Sequence, residues 1–144
     1  MSILDINMKK QSKHIRKTVL IYLILSIIAI VINKIYAIFA HGVSSEAMTW
    51  MFLYPLIGGS LFYSLILVFA NCIVRFNGYR MFFNIYNSGI AILTFGSFLK
   101  GIIDIAGADS KHLIFYYVIG ILFVVIGLIL IFIMLINKDK AKQF

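Results

Sequence analysis

Four long apolar runs occupy most of the chain, and they limit its fold more than any other feature of the sequence. Each is longer than the ~20 residues that an α-helix needs to cross the hydrocarbon core of a bilayer. None alternates apolar and polar residues as the ~10-residue strands of a membrane barrel do. The sequence therefore predicts an all-α membrane protein with four transmembrane helices, over about 18–40, 50–74, 81–106 and 112–136.

The composition agrees with a membrane protein and excludes an ordinary soluble domain. Of the 144 residues, 62% are hydrophobic and only 12% are charged, whereas soluble domains carry about 25% charged residues. The first run exceeds the apolar region of a signal peptide, and Ile38 stands where a cleavage site needs a small residue. We therefore expect the first run to remain as a span. The single cysteine, Cys72, allows neither an internal disulfide nor a zinc motif.

Lysine and arginine are concentrated on one side of the predicted spans. They lie in an N-terminal tail (1–17), in the connection between the second and third runs, and in a C-terminal tail (137–144). Because cytoplasmic segments of membrane proteins are enriched in these residues, we expect both termini in the cytoplasm, with the spans in the inner (cell) membrane. The basic tails are expected to contact anionic lipid headgroups. The net charge of +8 does not indicate nucleic-acid binding, because the aromatic residues lie in the runs rather than among the basic residues.

Short connections predict how the helices are arranged. The sequences HGVSSEAM, RFNGYR and GADSK join the runs, and short connections force neighbouring helices to be antiparallel. We therefore predict an up-down four-helix bundle with no extramembrane catalytic domain. Ser44 or Ser45 is expected to cap the second helix.

Charged and polar residues near the outer ends of the spans are the first candidates for a functional site. Lys100 and Asp104 are four residues apart, so a helix stacks them on one face. This spacing is typical of an interfacial pair, and a functional pair is the alternative. Lys34, beside Asn33, lies deeper. It either extends its charge to the interface or faces the bundle and pairs with Asp104 or Glu46.

The third run is the most polar one. Its amide and hydroxyl residues indicate either close helix packing or a polar groove or pore. In the second run, Pro55 together with Gly59 and Ser60 can bend the helix and free backbone carbonyls. The broken helices of transporters do the same. The candidate polar stripe consists of Asn84, Asn87, Ser88 and Thr94.

Two histidines at the outer surface raise the question of a cofactor. His41 ends the first run and His112 begins the fourth. Two histidines can ligate haem b or, together with acidic residues, a metal ion. Histidines at an interface are also simple amphipathic anchors, and we predict no cofactor, with haem b as the alternative.

No arrangement of nucleophile and base is evident, so we predict a protein that is not an enzyme. The leading hypothesis is a small inner-membrane binding, accessory or immunity-type subunit with a polar site in its outer half. It would act in the lipid bilayer, as a homo-oligomer or within a larger membrane complex. The alternative is a small transporter or channel that uses the polar third helix and the Pro55–Gly59 bend. A haem-binding redox subunit is the third hypothesis.

Overall fold

The structure, a computed structural model, describes residues 3–69 and 78–141, with side chains described over 12–69 and 78–137. No strand occurs in these ranges, and every regular element is helical. In chain order the elements are an α-helix Ile3–Phe39, an α-helix Glu46–Trp50, a π-helix Tyr54–Leu61, an α-helix Phe62–Phe69, an α-helix Tyr79–Ile105, a 3₁₀-helix Lys111–Leu113 and an α-helix Ile114–Ala141.

Within the described ranges, four helical segments are long and apolar enough to cross a membrane, which confirms the prediction of an all-helical chain with four such helices. The predicted end of the second run (70–74), the basic turn that follows it and Cys72 lie outside the described residues. We call the four segments the first to fourth spans; they are Ser12–Phe39, Glu46–Phe69, Tyr79–Ile105 and Lys111–Asn137.

The first helix begins much earlier than the predicted span. Its 37 residues correspond to about 55 Å at 1.5 Å per residue, against ~30 Å of hydrocarbon. Ile15 is fully buried in the same cluster as Ile131 and Met134 of the fourth span. The basic segment that we predicted as a tail therefore continues the first helix as far back as residue 3, and one of its side chains, Ile15, belongs to the buried core.

Neighbouring spans pack in chain order. Along the second and third spans, Met48 approaches Gly101 and Tyr63 bonds Asn87, so residue numbers run in opposite directions. The third and fourth spans pack more extensively than any other described pair. Four glycines allow their backbones to approach closely, because a Cβ at any of them would overlap an atom of the facing helix. These glycines are Gly89, Gly96, Gly120 and Gly127.

The first and third spans are joined differently, through long side chains. The rings of His14 and Phe83 lie 5.6 Å apart, and those of Tyr36 and Phe98 lie 5.8 Å apart. Their residue numbers run in the same direction, as expected for two helices separated by one antiparallel neighbour. Because long side chains bridge these two spans, they leave a cavity between them.

An aromatic cluster fills the core towards the ends of the spans near residues 15 and 134. It is buried between all four spans, which explains why this part of the protein is closely packed. Its aromatic members are Tyr22, Tyr63, Tyr79, Phe82 and Tyr86.

Candidate functional site

An apolar cavity of about 430 Å³ lies between the first, second and third spans. Leu25, Ile28 and Phe95 on its rim are each about half exposed, so the cavity opens towards the surroundings of the spans. Only Tyr22 and Thr94 bring a side-chain oxygen to its wall. The lining residues are Tyr22, Leu25, Ile28, Ala29, Ile32, Met51, Pro55, Ile90, Ala91, Thr94, Phe95 and Phe98.

Helical spacing explains the lining. In the first span, Tyr22, Leu25, Ala29 and Ile32 follow the three- and four-residue spacing that places side chains on one face of a helix. The third span contributes a second face with the same spacing, from Ala91 through Thr94 and Phe95 to Phe98. Two ordinary apolar stripes therefore form the cavity where the helix axes stay apart.

A hydrogen-bonded trio adjoins the cavity through Tyr22, which lines it. The Oδ1 atom of Asn87 accepts a hydrogen bond of 2.6 Å from the Tyr22 hydroxyl and one of 2.8 Å from the Tyr63 hydroxyl. The two tyrosine rings stack with centroids 5.9 Å apart. One amide oxygen thus joins three spans and gives both buried hydroxyls an acceptor.

The second span contributes Met51 and Pro55 to the wall, and Pro55 lies in its π-helical segment. Pro55 has no N–H to donate, and the Met51 carbonyl instead accepts a long bond of 3.4 Å from Tyr54. The Tyr86 hydroxyl donates to the Gly58 carbonyl over 2.8 Å. A Cβ at Gly59 would overlap the ring of Tyr22, so glycine is needed there for the first and second spans to approach.

Lys100 and Asp104 form an ion pair near the C-terminal end of the third span. The Lys100 Nζ atom lies 2.8 Å from Asp104 Oδ1, and both side chains are about one-third exposed. The Ser45 hydroxyl donates to Asp104 Oδ2 over 2.7 Å. Ser45 is the N-cap residue of the second span, as expected, but its hydroxyl makes no capping bond because it binds Asp104 instead.

The other charged candidates do not join this pair. Lys34 is exposed and makes no ion pair with any described residue, so its predicted pairing with Asp104 or Glu46 is not seen. Asp104 instead pairs with Lys100, which lies four residues before it on the same helix. Asn33 is half-buried, and Glu46 is exposed at the start of the second span.

The four polar residues of the third span do not line one surface. Asn87 reaches the tyrosine pair, whereas Asn84 and Ser88 are exposed on another side. Thr94 lines the cavity, but its hydroxyl donates to the Ile90 carbonyl of its own helix over 2.8 Å. The single polar groove that we predicted as an alternative is therefore divided among three environments.

The two histidines lie apart, His41 in the connection after the first span and His112 at the start of the fourth span. His41 is exposed with a φ of 53°, and His112, also exposed, stacks on Phe115 with centroids 6.4 Å apart. Among the described side chains, no group of three or more His, Cys, Asp or Glu residues is placed to hold a metal ion.

The roles of Tyr22 and Tyr63 were not predicted from the sequence. A signal was present, since each is a tyrosine in the interior of an apolar run, and a buried hydroxyl needs a partner. Searches against protein-family models, characterised proteins and solved structures find no match to the chain.

Proposed function

We propose that this protein is a non-enzymatic inner-membrane subunit that binds the hydrocarbon chain of a lipid or similar amphiphile in the cavity between its first and third spans. The cavity itself is the observation that supports this. Its volume of about 430 Å³ falls in the range of about 300–1,000 Å³ that is common for ligand sites. Its nearly complete apolar lining suits a hydrocarbon chain and gives an ion or a sugar few partners, because the Tyr22 and Thr94 hydroxyls already donate to Asn87 and the Ile90 carbonyl.

The open rim favours a ligand that enters sideways from the bilayer. A chain in the cavity gains little over bulk lipid, because lipid tails are as apolar as the lining. Selectivity must then come from the shape of the cavity and from the polar end of the ligand. Asn33 lies one helical turn beyond Ala29, so its amide is the nearest candidate in the first span to bind that polar end.

The proposed setting follows from charge. Both termini lie in the cytoplasm, the four spans form an up-down bundle, and the basic start of the first helix contacts anionic headgroups. The ion pair of Lys100 and Asp104, with Ser45, then holds the outer ends of the second and third spans together. No cofactor is part of this proposal.

A small transporter is the second candidate, because the second span is interrupted beside the cavity. The segment Tyr54–Leu61 is π-helical rather than α-helical, and the Tyr86 hydroxyl donates to its Gly58 carbonyl. Interruptions of this kind are frequent at functional sites, and a transporter helix needs one where its backbone changes shape. Flux of an amphiphile across proteoliposomes that is lost in Pro55→Ala would favour transport over binding alone.

A cavity-filling substitution tests the binding proposal. Ala29 is 4% exposed and lines the cavity, so Ala29→Phe fills it. Ile27, two residues away, is 60% exposed and outside the lining, which makes Ile27→Phe the matched control. The probe is a phospholipid with a photoreactive diazirine in its acyl chain, and the labelled peptides are identified by mass spectrometry.

The expected result is labelling of peptides that contain Leu25 and Phe95, reduced by excess unlabelled phospholipid. This saturable labelling should disappear in Ala29→Phe and persist in Ile27→Phe. Labelling that excess lipid does not reduce in the unmodified protein would show ordinary boundary lipid and contradict the proposal, as would equal labelling of the two variants.

A further inference from the structure

At one end of the cavity, two polar side chains of the first span have no partner among the described residues. Ile32 and Phe98 are the last lining residues of the first and third spans, which run in the same direction, so both mark this end. Tyr36 follows one turn after Ile32 on the same face, and its ring packs edge-on against Phe98 with centroids 5.8 Å apart. Asn33, one turn before Tyr36, is its neighbour on the helix surface. Both are half-buried, and neither side chain hydrogen-bonds to another described residue.

The direction of helical side chains places the Tyr36 ring towards the cavity. Long side chains lean towards the N-terminus of their helix and cover the turn before their own, which for Tyr36 is the turn of Ile32 and Asn33. At the other end of the cavity, the Tyr22 hydroxyl already donates its hydrogen to Asn87. The polar part of a ligand therefore finds two hydrogen-bond donors, a hydroxyl and an amide, at the Tyr36 end.

This end offers donors without a positive charge. Lys34 and Lys100 each stand two residues beyond a lining residue, Ile32 or Phe98. Two residues turn a helix by about 200°, so both lysines leave on the side away from the cavity, and Lys100 is paired with Asp104. Because an ionised carboxylate is costly to bury without a cation, this end suits an uncharged carbonyl oxygen better than a free acid.

The length of the cavity matches a single acyl chain. Its lining in the first span extends from Tyr22 to Ile32, which is about 15 Å at 1.5 Å per residue. An acyl chain of one leaflet occupies half of the ~30 Å hydrocarbon core, which is the same length. A chain that fills the cavity from the Tyr22 end therefore places its first polar atoms beside Asn33 and Tyr36.

We propose that Tyr36 and Asn33 bind the ester carbonyl of a lipid whose acyl chain fills the cavity, which makes the site specific for esterified acyl chains. The proposal rests on the function proposed above, in which the cavity holds a hydrocarbon chain. The Tyr36 hydroxyl and the Asn33 amide each donate to the carbonyl oxygen, which has two lone pairs to accept them. These bonds give an ester an advantage that a plain hydrocarbon, equally at home in the bilayer, does not have.

Competition in detergent micelles tests the choice of ligand with the full-length protein. The tracer is a diazirine-bearing alkane, and its labelling of the peptides that contain Leu25 and Phe95 is measured by mass spectrometry. The competitors are a monoacylglycerol, an ionised fatty acid and an alkane, all of one chain length and compared by their mole fraction in the micelle. The monoacylglycerol should displace the tracer at the lowest mole fraction.

Tyr36→Phe tests the hydroxyl, because it keeps the ring that packs on Phe98. Loss of one hydrogen bond between groups within a membrane should raise the mole fraction of monoacylglycerol needed for half-displacement about 3- to 20-fold, and Asn33→Leu should act in the same direction. Displacement by the alkane should not change in Tyr36→Phe. The matched control is Tyr116→Phe, since Tyr116 is 38% exposed and outside the lining, and it should leave every competitor unchanged.

The outcomes separate this proposal from the one on which it rests. Tracer labelling that no competitor reduces would overturn both, because the cavity would then hold no chain. Labelling that alkane and monoacylglycerol reduce equally, or a monoacylglycerol advantage that survives in Tyr36→Phe, would overturn the ester site and leave chain binding in place. Stronger displacement by the ionised fatty acid than by the monoacylglycerol would also overturn it, since the preferred head would then be a carboxylate.

Discussion

At the scale of single residues, Asn87 connects more of the protein than any other polar side chain described. Its Oδ1 atom accepts from Tyr22 in the first span and from Tyr63 in the second. Tyr63 is fully buried and Tyr22 is 8% exposed. In a low-dielectric interior such hydroxyls are costly without an acceptor, so the amide stabilises the position of both rings.

We predict that Asn87→Leu destabilises the protein more than Tyr63→Phe does. Replacing Asn87 leaves two hydroxyls without an acceptor, which costs about 1–3 kcal/mol for each buried group. Tyr63→Phe removes one hydroxyl and keeps the bond from Tyr22, so it should cost about 0.6 kcal/mol, as is typical for interhelical bonds. The free energy of unfolding in bicelles, measured by steric trapping, gives both values. An equal or smaller loss for Asn87→Leu would show that the trio does not act as one unit.

At the scale of elements, the third span makes a different kind of contact with each of its neighbouring spans. The side that faces the fourth span carries Gly89 and Gly96, which allow close packing. The side that faces the second span carries Tyr86 and Asp104, which hydrogen-bond to Gly58 and Ser45. The side towards the first span meets it only through longer side chains. The distance between helices thus depends on which residues face which neighbour, and the cavity lies where no glycine brings the first and third spans together.

The packing of the third and fourth spans gives a prediction that depends on backbone contact. A Cβ at Gly89 would lie 2.8 Å from the Val124 nitrogen and 2.9 Å from the Gly120 carbonyl oxygen. Backbone atoms cannot rotate away, so Gly89→Ala must separate the helices, and it should cost about 1–3 kcal/mol as overpacking does.

Gly78→Ala is the control for that substitution. A Cβ at Gly78 would lie 3.2 Å from Sδ of the flexible Met134 side chain. Because that side chain can move away, the loss of stability should be small. Thermal unfolding in detergent compares the two variants. Similar midpoints would mean that the close approach at Gly89 is not needed for stability.

At the scale of the whole molecule, the spans form a chain of neighbours with one open side. The fourth span covers the third, the second lies between the first and the third, and the cavity opens on the remaining side. The long first helix adds a positively charged extension with exposed Lys13, Arg16 and Lys17.

We predict that both termini and the basic first turns lie in the cytoplasm, because cytoplasmic ends of spans are rich in lysine and arginine. The test is labelling of single cysteines in intact cells, in protein carrying Cys72→Ser. Ser44→Cys, in the first connection, should react with a membrane-impermeant maleimide, whereas Ser12→Cys should react only after the membrane is permeabilised. The reverse pattern would invert the assigned topology.

Much of the fold could be predicted because a bilayer permits few alternatives. The four apolar runs required four helices, since a backbone in hydrocarbon must satisfy its own hydrogen bonds. The pairing of Lys100 with Asp104 also followed from their spacing, because residues four apart on a helix are neighbours whatever the fold.

The candidate site could not be predicted in the same way. Hydropathy sets whether a residue is in a span but not which neighbour it faces, and Asn84 and Asn87 are three residues apart yet lie in different surroundings. The cavity depends on the distance between two helices that are not adjacent in sequence, and Tyr22, Gly59 and Asn87 set that distance together. Local spacing determined the helices and the ion pair, whereas long-range packing decided the cavity and the exposed amide.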